Sequence, residues 1–176
     1  MQDLSSQAVT PSVPGLKFRR RRRLRRKEVA AMSEGMKAVL GRAPFESHDV
    51  VDRAEGKDYD VLYAGGEIAA MVVDGEPFPT VRGLLRGLPD GRHVTVDMGA
   101  VPFVCNGADV MAPGIVDTHP SIREGDLVWI RDERNLRPLA VGRALMSGRE
   151  MVSSKSGKAV RTIHHVGDRL WKLDEK

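Results

Sequence analysis

Beyond residue 45 the apolar residues come mostly in short runs, each cut by glycine, aspartate or proline before it can lengthen. YDVLYAGG, EIAAMVVDG, DLVWIRDE and RPLAVGRALMS are such runs, rich in Val, Ile and Leu. Runs of this length and composition between turn residues read as β-strands. The stretch YDVLYAGGEIAAMVV reads as a hairpin closed at Gly65-Gly66. In the second half, turn signals recur at intervals of roughly eight to twelve residues, the spacing of a small barrel or sandwich. HVTVDMGA opens this half with alternation, and AVRTIHHVGDRLWKL predicts two closing strands about Gly167. No β-α-β alternation carries a glycine fingerprint, which excludes a dinucleotide-binding unit.

The first half is mixed. Val29, Met32, Met36, Val39 and Leu40 recur at spacings of three and four, so the spacing predicts an amphipathic helix over 25–41. Gly41 stops it and Pro44 follows. The methionines could offer a soft partner-binding stripe, but the core reading is preferred. FPTVRGLLRGLPDG reads as a second, short helix capped by Thr80, with Val81, Leu84 and Leu85 inward. Helix, three short strands and helix make an α+β module over residues 16–91, bounded at Pro89-Asp90-Gly91. Residues 92–176 form the mostly-β unit. Residues 1–15, with Ser, Thr, Gln, Pro and Gly and few apolar anchors, read as a disordered tail.

Charge is the second constraint. Residues 17–27, KFRRRRRLRRK, hold nine cations, and Asp3 is the lone acid before residue 28. Residues 1–27 therefore stand at +8, and the net charge of +4 leaves the remainder at −4. A cationic stretch on a mildly acidic body points to a polyanionic partner. Leu16 and Phe18 alternate with cations, so the run is expected to begin as a strand with one face inward. Arg19, Arg20, Arg21, Arg22 and Arg23 admit three readings: a phosphate-binding edge, a solvated edge strand whose cations discourage aggregation, or a nuclear-localisation-like patch. Arginine's bidentate grip on phosphate favours the first.

Chemistry is harder to find. Cys105 is the only cysteine, so it forms no internal disulfide, and within AVPFVC it reads as a small buried hydrophobe. No Cys-x-x-Cys pair or His-x-x-x-His spacing suggests a metal. His164 and His165 should point to opposite strand faces. Neither a Gly-x-Ser-x-Gly elbow nor a phosphate-binding glycine loop with its lysine is present. Asp49, Asp52 and Asp60 read as turn and surface residues. Asp97 and Asp109 could at most form a weak site, and Trp129 and Trp171 are expected to anchor the core. No cofactor is implied, and the chain is expected to be no enzyme. No run of eighteen apolar residues exists and the N-terminus lacks an apolar signal core, so a cytoplasmic protein is the default expectation.

The segment DMGAVPFVCNGADVMAPGIVDTHPSIREGDLVWI resembles the opening of a PUA domain. The matching features are Gly99-Ala100, the stretch through Phe103, Asn106-Gly107-Ala108-Asp109, Met111 and Pro113-Gly114-Ile115. Glu124-Gly125-Asp126, Val128-Trp129-Ile130 and Leu139–Ala144 follow in order, then Gly157–Val160 and His164–Trp171. The resemblance covers about residues 92–172. A basic start, a helix and a hairpin ahead of such a domain resemble archaeal relatives of the malignant T-cell-amplified sequence protein. Ligatin shares the arrangement. The resemblance implies an α+β pre-PUA module followed by a small mostly-β PUA-type pseudo-barrel. It implies a cytosolic factor that works with the small ribosomal subunit or tRNA in initiation, re-initiation or recycling, with no catalytic centre. The archaeosine transglycosylase carries a similar domain, but this chain lacks its catalytic barrel.

Physical reasons for RNA contact stand beside the resemblance. Gly99, Gly107 and Gly114 permit close backbone approach, and exposed N–H groups in such turns cradle anions. Ala100 and Ala108 keep the surface shallow. Asn106 and Asp109 can bond 2′-hydroxyls or base edges. The competing reading is a turn that merely joins helix to strand. Arg143, Arg149, Lys155, Lys158 and Arg161 are expected to add a second basic group beside the last strands; a solvated loop explains SSKSGK equally well. Expected partners are structured RNA, tRNA or rRNA, and the small ribosomal subunit or a protein bound through the first module, with no membrane. Two alternatives remain: an RNA-targeting accessory subunit of a modification enzyme, and a protein-interaction module.

Overall fold

The computed structural model describes residues 15–174, so the tail expected over 1–15 lies almost wholly outside the described residues. A five-stranded antiparallel meander comes first: β1 (Arg19–Arg23), β2 (Val51–Glu55), β3 (Asp60–Ala64), β4 (Glu67–Val73) and β5 (Glu76–Pro79). Helix α1 (Arg26–Leu40) separates β1 from β2, and α2 (Val81–Leu85) follows β5. Five strands replace the expected three. β5 is hidden in sequence by its two prolines, but it pairs Val73 with Glu76 across a tight Asp74-Gly75 turn. Both turn residues have positive φ, 50° and 80°, as a two-residue hairpin turn requires. The β3–β4 hairpin closes at Gly65-Gly66 as expected.

Helix α1 ends where the sequence predicts. Gly41 takes the left-handed conformation and its N–H donates to Lys37 O at 2.9 Å. Val29, Met36 and Leu40 are buried and Met32 packs beside them, whereas Val39 is exposed, against expectation. Thr80 caps α2 as expected, its hydroxyl accepting from Gly83 N–H, but Leu85 is also exposed. α2 has barely more than one turn, too short to turn all three apolar residues inward.

The second unit is a curled six-stranded mixed sheet, the PUA fold expected for this half. It comprises β6 (His93–Val96), β7 (Val110–Met111), β8 (Ile115–Thr118), β9 (Leu127–Asp132), β10 (Pro138–Ala144) and β11 (Lys158–His165). Their order is β7-β11-β10-β9-β6-β8, with β6 parallel to β9. Short helices α3 (Val101–Cys105) and α4 (Gly148–Ser153) cover its open ends. Val94, Val96, Val104, Val128, Ile130, Met151 and Val160 fill its interior. Cys105 only packs against this core from its edge and is half-buried, and burial pushes its thiol pKa up.

Gly167 is followed not by a strand but by helix α5 (Arg169–Leu173), capped by Asp168, whose carboxylate accepts from Trp171 N–H at 2.8 Å. α5 leaves the second sheet and packs on the first. Leu170 and Leu173 join Ala54, Val61 and Ile68 in a small core on one face of the meander. Helix α1 and its core cover the other face. Asp174 accepts from Ile68 N–H at 2.7 Å. Trp171 is half-buried rather than a core anchor, with the Arg82 guanidinium 3.8 Å over its ring. Trp129 is fully buried, its indole N–H donating to Gly91 O at 2.8 Å. With Leu127 and Val141 it projects from the second sheet into the core that holds Met36, Leu62 and Phe78. The two units thus share a core.

Among the described residues no helix is long and apolar enough to cross a membrane.

Candidate nucleic-acid interface

The segment joining α3 to β7 is the most exposed structured part of the second unit. Asp97 starts it, its carboxylate accepting from Ala100 N–H at 2.9 Å. The helix ends on a two-bond cap: Gly107 N–H donates to Val104 O at 3.0 Å, and Ala108 N–H donates to Phe103 O at 3.0 Å. Gly107 has φ +87°, and a Cβ there would lie 2.8 Å from His165 Nε2. Glycine is therefore required twice at this position. Gly99 and Gly114 lack positive φ, so the conformational freedom expected of them is not used.

The loop is then pinned to β11. Thr162 N–H donates to Asp109 Oδ1 at 3.0 Å and the Thr162 hydroxyl donates to Ala108 O at 2.9 Å. Asp109 Oδ2 meets Lys158 Nζ at 3.3 Å. Asp109 therefore holds the loop in shape, which leaves Asn106, exposed at the helix end, as the polar side chain offered outward.

Around this rigid turn lie apolar groups that a monomer has little reason to expose. Phe103 is 67% exposed, Met111 46% and Val116 51%. Pro113 is exposed too, on a 3-10 turn at Ala112–Gly114, and Gly114 lies against Ala100. Lys158 pairs in register with Met111, and Ala112 N–H donates to Gly157 O at 2.9 Å. These bonds place Lys155 and Lys158 beside Met111 and Pro113. Arg161 is exposed one strand position beyond Val160. Arg149 is exposed on α4.

Arg143 is not part of this group. Its guanidinium donates to Asp74 at 2.9 Å and to Gly125 O at 2.8 Å, which ties β10 to the β4–β5 turn of the first unit. Asp97 and Asp109 do not converge on a shared site, since each is committed to backbone partners.

Arg19–Arg23 form the outermost strand of the first sheet, all five exposed. The body answers them with few carboxylates. Arg21 and Arg23 share Asp52, Arg20 meets Glu55 at 3.4 Å, and Arg22 meets Glu28 at 3.0 Å. Hydrogen bonds from Arg22 and from Arg25 N–H hold the Glu28 carboxyl at about 2. Arg21 also lies 3.8 Å over the Tyr63 ring. Exposed pairs of this kind contribute at most about 1 kcal/mol each, so phosphate can replace the carboxylates at little cost. Thr162 and His165, which fix the loop, carry no local sequence signal; only the pairing of β11 with β7 brings them there.

Fold and surface together define a PUA-domain protein with an α+β module before it. The PUA domain family matches residues 92–166. An uncharacterized protein of Methanocaldococcus jannaschii is 37% identical over 163 residues, covering 89% of this chain and 98% of its own. Translation machinery-associated protein 20 of Schizosaccharomyces pombe is 31% identical over 160 residues, covering 81% of this chain and 88% of its own. The crystal structure of a hypothetical protein from Pyrococcus horikoshii superposes with a TM-score of 0.79 at 36% identity, over 89% of this chain and 100% of its own. The chain belongs to the family of the translation machinery-associated protein 20 and malignant T-cell-amplified sequence proteins.

Proposed function

We propose that this protein is a non-catalytic, cytoplasmic RNA-binding factor of translation that contacts tRNA or small-subunit rRNA during initiation, re-initiation or recycling. The observation that carries the reading is the α3–β7 loop. It is locked by its helix cap and by Thr162, yet it exposes Phe103, Met111 and Asn106 beside Lys155 and Lys158. Apolar and aromatic groups next to cations on a rigid backbone suit a structured RNA, whose sugar edges and unstacked bases take the former and whose phosphates take the latter. Membership of a family of translation-machinery proteins supports the same assignment. The arginine strand adds reach and a strong dependence on salt.

Binding of the full chain to tRNA, small-subunit rRNA and a random duplex across a salt series tests this. Preference for one structured RNA is expected, with affinity falling steeply as salt rises. Changing Arg19–Arg23 to Ser should make that slope shallower by several units. Weak and equal binding to all three RNAs would overturn the assignment.

A further inference from the structure

Between the beginning of the described chain and α5 runs a groove that the loop surface does not include. Its volume is about 530 Å³. Gly107 and His165 stand at one end, and Lys17, Lys57, Arg169 and Lys172 line its length. A second hollow of about 500 Å³ shares Gly15, Lys17 and Lys57 with it and leads on to Arg19 and Arg20. The two form one path from the glycine loop to the arginine strand.

The lining is of two kinds. Phe18 and Tyr59 contribute half-buried aromatic rings, with centroids 6.1 Å apart. Burial raises the Tyr59 hydroxyl pKa, so it stays neutral. Cations outnumber carboxylates along the path, and the acids are partly spent. Asp168 accepts from the His164 ring and from the N–H groups of His165 and Trp171, and Glu55 faces Arg20. Lys17, Lys57, Arg169 and Lys172 have no carboxylate within ion-pair distance among the described residues.

An aromatic floor under a basic rim is what a single strand of nucleic acid needs: ring faces for its bases and cations along its backbone. A duplex hides its base faces and could use only the rim. We propose that this groove holds a single-stranded RNA end that continues from the duplex or fold seated on the α3–β7 loop. The proposal rests on the RNA-binding reading and extends it to a second, strand-specific subsite. Its phosphates lie on Lys17, Lys57, Arg169 and Lys172, and its bases lie over Phe18 and Tyr59.

The test uses the full chain and two RNAs built on the same duplex, one blunt and one with a short 3′ single-stranded extension. Lys57→Glu with Lys172→Glu is the variant, since both side chains are exposed and the fold does not use them; its thermal unfolding is followed in parallel. At matched salt, the extension should tighten binding by the unmodified protein about tenfold, the scale of one stacked base. In the variant the ratio between the two RNAs should fall to near one. A variant that keeps the ratio, or an unmodified protein that binds both RNAs equally, overturns the subsite and leaves RNA binding intact. Tighter binding of a polyglutamate peptide than of the extension would assign the groove to acidic protein segments and also overturn it. Failure of the unmodified protein to bind either RNA would instead remove the RNA-binding reading beneath.

Discussion

His164 and Asp168 decide whether the two units stay joined. His164 is buried, and its Nε2 accepts from Val81 N–H at 3.2 Å, so the ring proton sits on Nδ1 and is donated to Asp168. Asp168 also caps α5. Burial acts to raise its carboxyl pKa, but the His164 ring and the N–H groups of Trp171 and His165 outweigh it and hold the group below 3.8. A depressed carboxyl contributes stability that is present above the unfolded value and is lost as pH falls through the folded one. Asp168→Asn should therefore lower stability by about 1–2 kcal/mol at pH 7. It should also flatten the loss of stability below pH 4, read by chemical denaturation at several pH values. The sequence shows that His164 and His165 face opposite ways, as period-two alternation demands. It does not show that Val81, far away in the chain, supplies the proton donor. Of the three glycines singled out, only Gly107 needs its freedom, because φ depends on a helix cap that neighbouring residues do not announce.

At the scale of elements, what could be read depended on length. Helix α1 runs for four turns, and its apolar spacing and terminal Gly41 fix both its type and its end. The β3–β4 hairpin carries a two-glycine turn between apolar strands. α5 spans 5 residues, too few for a helical period to stand out from a strand, so RLWKL was legible only through Asp168 as a cap. β5 was legible through Asp74-Gly75, a turn pair masked by the prolines that follow. Because α5 covers one face of the first sheet, Leu170→Ala should cost about 2–4 kcal/mol. It should also raise proteolysis at the chain's end, checked by urea unfolding and limited digestion. A merely decorative α5 would leave both unchanged.

The whole molecule behaves as one body in this account. Leu127, Trp129 and Val141 of the second sheet share a core with Met36, Leu62 and Phe78 of the first unit. Trp129→Ala is then expected to cost about 3–5 kcal/mol and to shift a single cooperative transition, rather than split it in two. The candidate surface was legible in outline, because residues 99–114 carry the resemblance. Its cations were not sorted by sequence: Arg143 turned inward to Asp74, while Lys155 and Lys158 came to flank Met111. Which of them meet depends on strand register, and register is a long-range property. The measurement that tests the account most directly is RNA affinity of the Phe103→Ala, Lys158→Glu double variant, with thermal unfolding in parallel. Phe103 and Lys158 are both exposed, so the fold should be unchanged. Affinity for the preferred structured RNA should fall about tenfold or more, since a stacking ring and a phosphate contact are both removed. A normally folded variant that binds that RNA as tightly as the unmodified protein would contradict the placement of the interface on the α3–β7 loop.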